Sequence, residues 1–238
     1  MSDPPFYPHD PPEQIAEDVF MVRGSIRMNP LLRITRNMGI VRRDRELTLI
    51  NPIRLSEEGY GQLAKLGSVQ RLIRLGPFHG VDDAYTVRRF SAPLMAPGPS
   101  SAHPLPEGTL PLSPDVPLPF PHASLFSFRG TKEAECALLL QRDTPLLLTC
   151  DAIQHYGDYR HNNLPARILL PWVGFPKTTL VGPIWLKVMT LKGESLRGEF
   201  ERLLAHDFDA LLAGHGSFLA SGAKEAVAAA VERAFAKK

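Results

Sequence analysis

The sequence is poor in cysteine. Only Cys136 and Cys150 occur among its 238 residues, and they do not form a CxxC pair. This scarcity excludes a disulfide framework and a cysteine-rich metal cluster. Both cysteines lie in apolar runs, ECALLL and LLLTC, so we expect buried free thiols in a reducing compartment.

Strong charge and long hydrophobic runs are also lacking. The net charge is +2 and no run of five basic residues occurs, so we expect no nucleic-acid partner. The longest apolar region, residues 168–189, is interrupted by three prolines and two lysines and falls short of the run of about 20 residues that spans a bilayer. The N-terminus, MSDPPFYPHDPPEQ, has no signal-peptide pattern. We therefore expect a cytoplasmic protein with no membrane partner.

Proline, by contrast, is abundant and unevenly placed. Five of the 23 prolines fall within the first 14 residues. We interpret residues 1–17 as an extended arm that precedes a single domain, residues 18–238. Ten further prolines lie in residues 93–121, which show no helical period and are predicted to form a long extended connection.

The apolar patterns predict mixed α/β layers. Residues 46–51 have a strand pattern, and Ser56 followed by two glutamates predicts the start of a helix. Another strand is predicted at residues 69–75. A strand, helix and strand in succession favour parallel pairing in an α/β fold. Amphipathic helices are predicted at residues 194–206 and from residue 221 onward.

Three predicted apolar strands are each followed by a histidine or a carboxylate. His79 and Asp83 follow the first strand, Asp151 the second and His215 the third. Strand ends of this kind in one sheet would converge on one cleft. Histidine and aspartate are ligands for a divalent metal, and they also act as general acids and bases. The sequence leaves open whether Asp82 or Asp83 faces the cleft.

The order of these segments resembles the metallo-β-lactamase fold superfamily over roughly residues 18–236. The segments are, in chain order, LTLINP, a helix, RLIRLGPFHGVDD, PLLLTCDA and FDALLAGHG. The resemblance implies an α/β architecture, an αββα sandwich with a metal site between its two sheets.

The HxHxDH metal motif of that superfamily is degraded in this chain. Matched on HGVDDA, the motif retains His79 and Asp83, whereas Val81 and Ala84 replace its other two histidines. The superfamily's middle histidine, which follows a glycine, is replaced here by Thr131.

The resemblance therefore implies a reduced set of metal ligands. Asp151 matches the bridging aspartate of the superfamily, and His215 matches its last histidine. Together with Asp83 and a water they would hold one divalent ion, Zn, Fe or Mn, and they are too few for two. His79 would be a fourth ligand or a base that positions the water. The implied function is a hydrolase of a small-molecule ester, thioester or amide, with His79, Asp83 and Asp151 as catalytic residues.

The alternative is a chain that has lost its metal and keeps these residues as hydrogen-bonding groups. It would be a non-catalytic binding or assembly protein on the same fold. Its contact surface would be the proline-rich connection together with the segment from Trp172 to Trp185. For this case we expect a homo-oligomer that buries one of the tryptophans.

Two further interpretations of polar residues stay open. Cys150, with Asp151 and His155, has the residue types of a thiol nucleophile and its partners. His155, His161 and Glu133 could each serve as a substitute metal ligand, although surface positions in polar loops are the commoner outcome.

Overall fold

Two β-sheets face each other and helices cover their outer sides in the computed structural model, which describes residues 3–236. The predicted αββα sandwich is therefore confirmed. The larger sheet contains seven strands in sequence order: β1 (Glu13–Ala16), β2 (Val19–Arg27), β3 (Arg33–Arg43), β4 (Glu46–Ile50), β5 (Ser68–Ile73), β6 (Leu94–Ala96) and β7 (Leu110–Pro111).

The remaining strands are β8 (Ala123–Ser127), β9 (Cys136–Leu140), β10 (Leu146–Leu148), β11 (Ile153–His155), β12 (Thr179–Val181) and β13 (Ala210–Leu212). The smaller sheet has the order β13-β10-β9-β8, and β11 pairs separately with β12. The helices are α1 (Glu57–Leu66), α2 (Asp83–Phe90), α3 (Leu164–Leu169), α4 (Pro183–Met189), α5 (Arg197–Leu204) and α6 (Ala223–Phe235). Within the described part of the chain, no helix is long and apolar enough to cross a bilayer.

The first crossover connection has the geometry that its sequence predicts. β4 and β5 pair in parallel, and α1 carries the chain from one to the other. The Ser56 side chain caps α1 by accepting a hydrogen bond from the Gly59 N–H at 3.1 Å. Glu57 and Glu58 occupy the first turn, where negative charge suits the helix dipole.

Three apolar clusters hold the layers together. The cluster between the sheets joins residues such as Ile73 of β5 to Leu138 of β9. On the outer side of the larger sheet, Tyr60 and other helical residues pack over β2 to β5. On the outer side of the smaller sheet, Trp185 and Phe200 belong to the cluster that covers β8 to β10. Each sheet thus buries both of its faces, which is what places strand ends inside the molecule.

The N-terminal arm is partly integrated into the larger sheet. β1 pairs with β2 in an antiparallel hairpin, so the predicted boundary after residue 17 lies in the turn of that hairpin. Before β1, the His9 ring accepts a hydrogen bond from the Ser56 N–H at 2.9 Å, and Ser25 donates to the Pro8 carbonyl at 2.9 Å. The interpretation of residues 1–17 as an arm also includes Met1 and Ser2, which lie outside the described residues.

The segment from residue 155 to residue 191 contains two short helices. α3 and α4 occur there, although prolines and glycines suggested an irregular region. The reason is the position of the prolines: Pro165 and Pro183 lie in the first turns of their helices, where a missing N–H costs nothing. Asn163 caps α3 by accepting from the Ala166 N–H at 3.2 Å.

Leu138→Ala tests the layer between the sheets. Leu138 is fully buried there, so we expect its truncation to lower the free energy of unfolding by about 2–5 kcal/mol, since both the apolar contact and the filled volume are lost. The matched control is Leu110→Ala on the exposed strand β7, for which we expect a change within about 0.5 kcal/mol. Urea unfolding followed by circular dichroism measures both; equal effects would contradict the layer assignment.

Candidate metal site

Three side chains from three separate strand ends meet between the two sheets. The Nε2 atoms of His79 and His215 lie 3.1 Å apart. One carboxylate oxygen of Asp151 lies 3.3 Å from the His79 Nε2, and the other lies 3.1 Å from the His215 Nε2. The two Asp151 oxygens thus each face one histidine, the ligand atoms lie within 4.8 Å of one another, and the three residues are buried. We call them the triad.

His215 is held in one tautomer by the larger sheet. It follows β13 in the sequence Gly214-His215-Gly216, and its Nδ1 lies 2.6 Å from the Thr35 carbonyl oxygen. A carbonyl oxygen only accepts, so Nδ1 carries the hydrogen and Nε2 of the neutral ring has a lone pair. That lone pair faces a carboxylate oxygen of Asp151. The contact therefore needs a positive charge, supplied by a second proton on the ring or by a metal ion.

His79 ends the short 3-10 turn Pro77–His79 that follows β5. Its side chain packs against Gly214, where an added Cβ would lie 2.6 Å from the His79 Cε1. Burial lowers the pKa of His79 to about 4 despite the neighbouring Asp151, so the ring is neutral at pH 7. Its Nδ1 is buried and has no hydrogen-bond partner among residues 3–236.

Asp151 follows β10 and is ionised. Burial by itself would raise the pKa of Asp151, but His79 and His215 outweigh it and hold the pKa well below its usual range. Its backbone N–H donates to the Glu135 carboxylate at 3.1 Å. The triad therefore presents one negative charge and two imidazole rings.

Glu135 is a buried member of the site that the sequence analysis missed. Besides the Asp151 N–H, it accepts hydrogen bonds from the Ala152 N–H and the Trp185 Nε1, each at 2.8 Å. Burial raises the pKa of Glu135 well above its usual range, and the charge of Asp151 adds to this effect. The available signal in the sequence is a carboxylate directly before the apolar run CALLL, two residues after the Glu133 that was a candidate substitute ligand.

The two aspartates of HGVDDA lie outside the triad. Asp83 begins α2 and accepts a hydrogen bond from the Arg74 Nη1 at 3.0 Å, and both side chains are fully buried. Asp82 lies 3.8 Å from the Arg36 Nη1. Of the four predicted ligands the structure thus brings together three and places Asp83 in an ion pair with Arg74.

Comparisons with known proteins identify the fold. No family model matches the chain, and no curated protein matches it. Among solved structures, the DIM-1 metallo-β-lactamase exposed to ceftazidime covers 96% of this chain and 99% of its own, with a TM-score of 0.67 and 12% identity. The metallo-β-lactamase from Hirschia baltica covers 93% and 98%, with a TM-score of 0.62 and 12% identity.

FIM-1 from Pseudomonas aeruginosa, solved in a mono-zinc form, covers 99% of this chain and 100% of its own, with a TM-score of 0.60 and 13% identity. This chain has the metallo-β-lactamase fold. The agreement over nearly whole chains confirms the fold that its strand order predicted.

Within the metallo-β-lactamase fold, the substitute ligands considered from sequence lie away from the triad. The His155 Nδ1 lies 2.8 Å from the Thr179 Oγ1, and the His161 Nε2 lies 3.0 Å from Asp10. Glu133 pairs with Ser101 in a surface contact.

The thiol-nucleophile interpretation is disfavoured by the surroundings of Cys150. The cysteine is fully buried, and burial raises its pKa well above the usual range, with the charge of Asp151 adding to the effect. A thiolate is the reactive form of cysteine, so this thiol is not activated. Both cysteines are free and buried, as predicted.

Asp83→Asn tests the state of the buried carboxyl group. Burial raises the pKa of Asp83 from 3.8 to about 6, although Arg74 acts in the opposite direction. The folded state then binds more protons than the unfolded state between these values, so the stability that this carboxyl contributes falls as pH rises. We expect the free energy of unfolding of the wild type, taken relative to the variant, to fall by about 2 kcal/mol from pH 4 to pH 6.

The measurement is a series of urea unfolding curves at fixed pH. Taking the difference from the Asn variant removes the contributions of other groups, such as His79, that titrate in the same range. If the free energy of unfolding of the wild type instead rose with pH relative to the variant, the Arg74 ion pair would be keeping the carboxylate ionised and its pKa low.

Proposed function

We propose that the protein is a hydrolase that holds one divalent metal ion in the triad. The observation that carries the proposal is the 3.1 Å contact between the His215 Nε2 and the Asp151 carboxylate. Because the Thr35 carbonyl fixes the hydrogen of His215 on Nδ1, a cation between the two groups removes the repulsion of their lone pairs. His79 adds a third donor atom at similar distances.

The spacing of the donor atoms fits a small divalent ion. A tetrahedral ion with bonds of about 2.0–2.1 Å separates its ligand atoms by about 3.3–3.4 Å. The two histidine Nε2 atoms lie 3.1 Å apart, and each has one Asp151 carboxylate oxygen at 3.1 or 3.3 Å. Two histidines and one carboxylate with an open position suit Zn, Fe or Mn. Three protein ligands leave room for a water or a substrate atom, as hydrolytic sites require.

A divalent metal in the triad would supply a Lewis acid for a substrate carbonyl and would lower the pKa of a water that acts as the nucleophile. The protein residues would bind the ion and fix its orientation. Asp151 would contribute the negative charge, and Glu135 and Trp185 would hold the Asp151 loop in place through the contacts described above. His79 is neutral at pH 7 and would act as a ligand or accept a proton from the water.

The proposed substrate is a small molecule with an ester, thioester or amide bond, and the proposed location is the cytoplasm. The similar structures DIM-1 and FIM-1 are named as β-lactamases, whose substrates contain a cyclic amide. This supports a carbonyl substrate for the present chain without specifying which one.

A second function is a metal-free binding protein on the same fold. It is supported by the same contact, because a doubly protonated His215 ring would pair with Asp151 as an ion pair. In that case the triad would hold the loops together and would carry out no chemistry.

Metal content distinguishes the two functions. We expect protein purified without chelator to contain about one equivalent of a transition metal by elemental analysis, and the Asp151→Ala/His215→Ala double variant to contain almost none, because two of three ligands are removed. Asp83→Asn is the matched control: it is buried nearby but pairs with Arg74, so it should keep its metal.

Each result has a separate meaning. Loss of metal in an Asp83 variant that stays folded would mean that Asp83 contributes to the site, either as a ligand, as the sequence predicted, or through the turn that carries His79. Metal-free wild-type protein that does not take up Zn, Fe or Mn on titration would favour the binding protein.

His79→Ala tests the catalytic role of the triad. With an ester, thioester or amide found by screening, we expect kcat/KM to fall by about 100-fold or more, since loss of a ligand or base removes transition-state stabilisation of about 3 kcal/mol. Chelated wild-type protein should be equally inactive and should recover when the metal is returned. Full activity of the chelated protein would contradict metal-dependent hydrolysis.

A further inference from the structure

Exposed apolar side chains are concentrated in one part of the surface. Thirteen large apolar side chains are exposed among the described residues, and ten of them lie in the β2–β3 turn or in residues 164–191. These ten, which we call the apolar face, are Met28, Leu31, Leu164, Ile168, Leu169, Trp172, Val173, Ile184, Val188 and Leu191. Single exposed apolar residues are ordinary, but a cluster of this size marks an interaction surface.

The two short helices each direct an apolar stripe outward. α3 exposes Leu164 and Ile168, which are one turn apart, and α4 exposes Ile184 and Val188 with the same spacing. Residues four apart lie on one side of a helix, so each helix has a continuous apolar side. Trp172, just after α3, is 86% exposed, which is rare for the largest apolar side chain.

Close approaches place these elements next to one another. An added Cβ on Gly174, in the loop after α3, would lie 3.5 Å from the Pro183 Cγ at the start of α4. On the other side of α3, the Asn163 side chain donates a hydrogen bond to the Leu31 carbonyl at 2.8 Å. The β2–β3 turn, α3 and α4 are therefore neighbours.

The charges around the apolar face are mostly positive. Residues 159–193 contain five basic residues and no acidic residue, although the whole chain is nearly neutral. The five are exposed: Arg160, Arg167, Lys177, Lys187 and Lys192. The first three line a cleft of about 530 Å³ together with Asp158 and Tyr159.

We propose that the apolar face binds the surface of an anionic lipid bilayer. Exposed aliphatic and aromatic side chains in the same segment as exposed lysine and arginine are the combination that binds at a lipid interface without crossing it. The apolar side chains would enter the boundary with the acyl chains, Trp172 would lie at the headgroup level, and the basic cleft would contact lipid phosphates. The expectation of no membrane partner rested on the lack of a spanning run in the sequence, and a peripheral mode of this kind needs no spanning helix.

Charge favours a bilayer over a second copy of the chain. A symmetric dimer through this face would bring the segment 159–193 against itself, with five basic residues and no acidic residue on each side. Like charges across an interface oppose association. An anionic bilayer supplies the opposite charge.

The apolar face is structurally connected to the triad. The Thr35 N–H donates to the Asn162 side chain at 2.6 Å, and the Thr35 carbonyl accepts from His215. Asn163, the next residue, caps α3. Docking would therefore hold the triad close to the lipid surface. The binding itself is separate from the proposed hydrolase activity and does not depend on a metal in the triad.

Vesicle binding by the full chain tests the proposal. We expect the protein to sediment with vesicles of phosphatidylcholine and phosphatidylglycerol and to sediment little with phosphatidylcholine alone. We also expect binding to shift the fluorescence of Trp172 to the blue, and Trp172→Phe to remove this shift. Trp185 is buried and does not respond. Lys187→Gln/Lys192→Gln should weaken binding by about 25-fold, because each basic residue near an anionic surface contributes about 1 kcal/mol, or fivefold.

Trp172→Ala should weaken vesicle binding by about tenfold, whereas Leu110→Ala, an exposed apolar residue outside the face, should leave it unchanged. Three results would overturn the proposal: no binding to anionic vesicles, equal binding to neutral vesicles, or a dimer in sedimentation velocity that Trp172→Ala dissociates. Metal content is unaffected by these variants, so failure here is distinguishable from failure of the hydrolase assignment.

Discussion

The Asp151 carboxylate and the two imidazoles that approach it impose the main constraint on the interior of this protein. Each of the three side chains comes from a loop after a different strand. The two histidine Nε2 atoms lie 3.1 Å apart, and each has one Asp151 oxygen within 3.3 Å. An anion buried between the sheets is tolerated only when it is paired. The three loops must therefore keep their relative positions, and Thr35 and Glu135 hold two of them through backbone hydrogen bonds.

A second set of buried charges supports the turn that carries His79. Arg36 donates to the His79 carbonyl at 2.5 Å, and Arg74 pairs with Asp83. A buried guanidinium that loses its carboxylate leaves an uncompensated charge, at a cost of several kcal/mol. If Asp83 turned toward the triad, Arg74 would lose its partner, which gives a physical reason for the position of Asp83 in this structure.

Local sequence signals predicted the architecture well, because they depend on neighbours in the chain. The cap at Ser56 and the apolar strands on either side of α1 were sufficient for a parallel unit. The strand ends placed His79, Asp151 and His215 near one another, because a chain that leaves a buried strand emerges at the edge of the sheet. The prolines of residues 164–191 suggested an irregular segment, but two helices form there. The effect of a proline depends on its position within a helical turn.

The sequence by itself determined the strand, helix and strand of residues 46–75 and the strand ends that carry His79, Asp151 and His215, because periodicity, caps and turn residues act over a few positions. The sandwich followed from the resemblance of the segment order to a known fold. The tertiary structure decided which carboxylates face those donors. Glu135 and Asp83 are both buried carboxylates, and their roles follow from partners distant in sequence, Trp185 and Arg74 among them. It also decided that Trp172 is exposed whereas Trp185 is buried, because burial depends on which side of α4 and its neighbours meets the sheet.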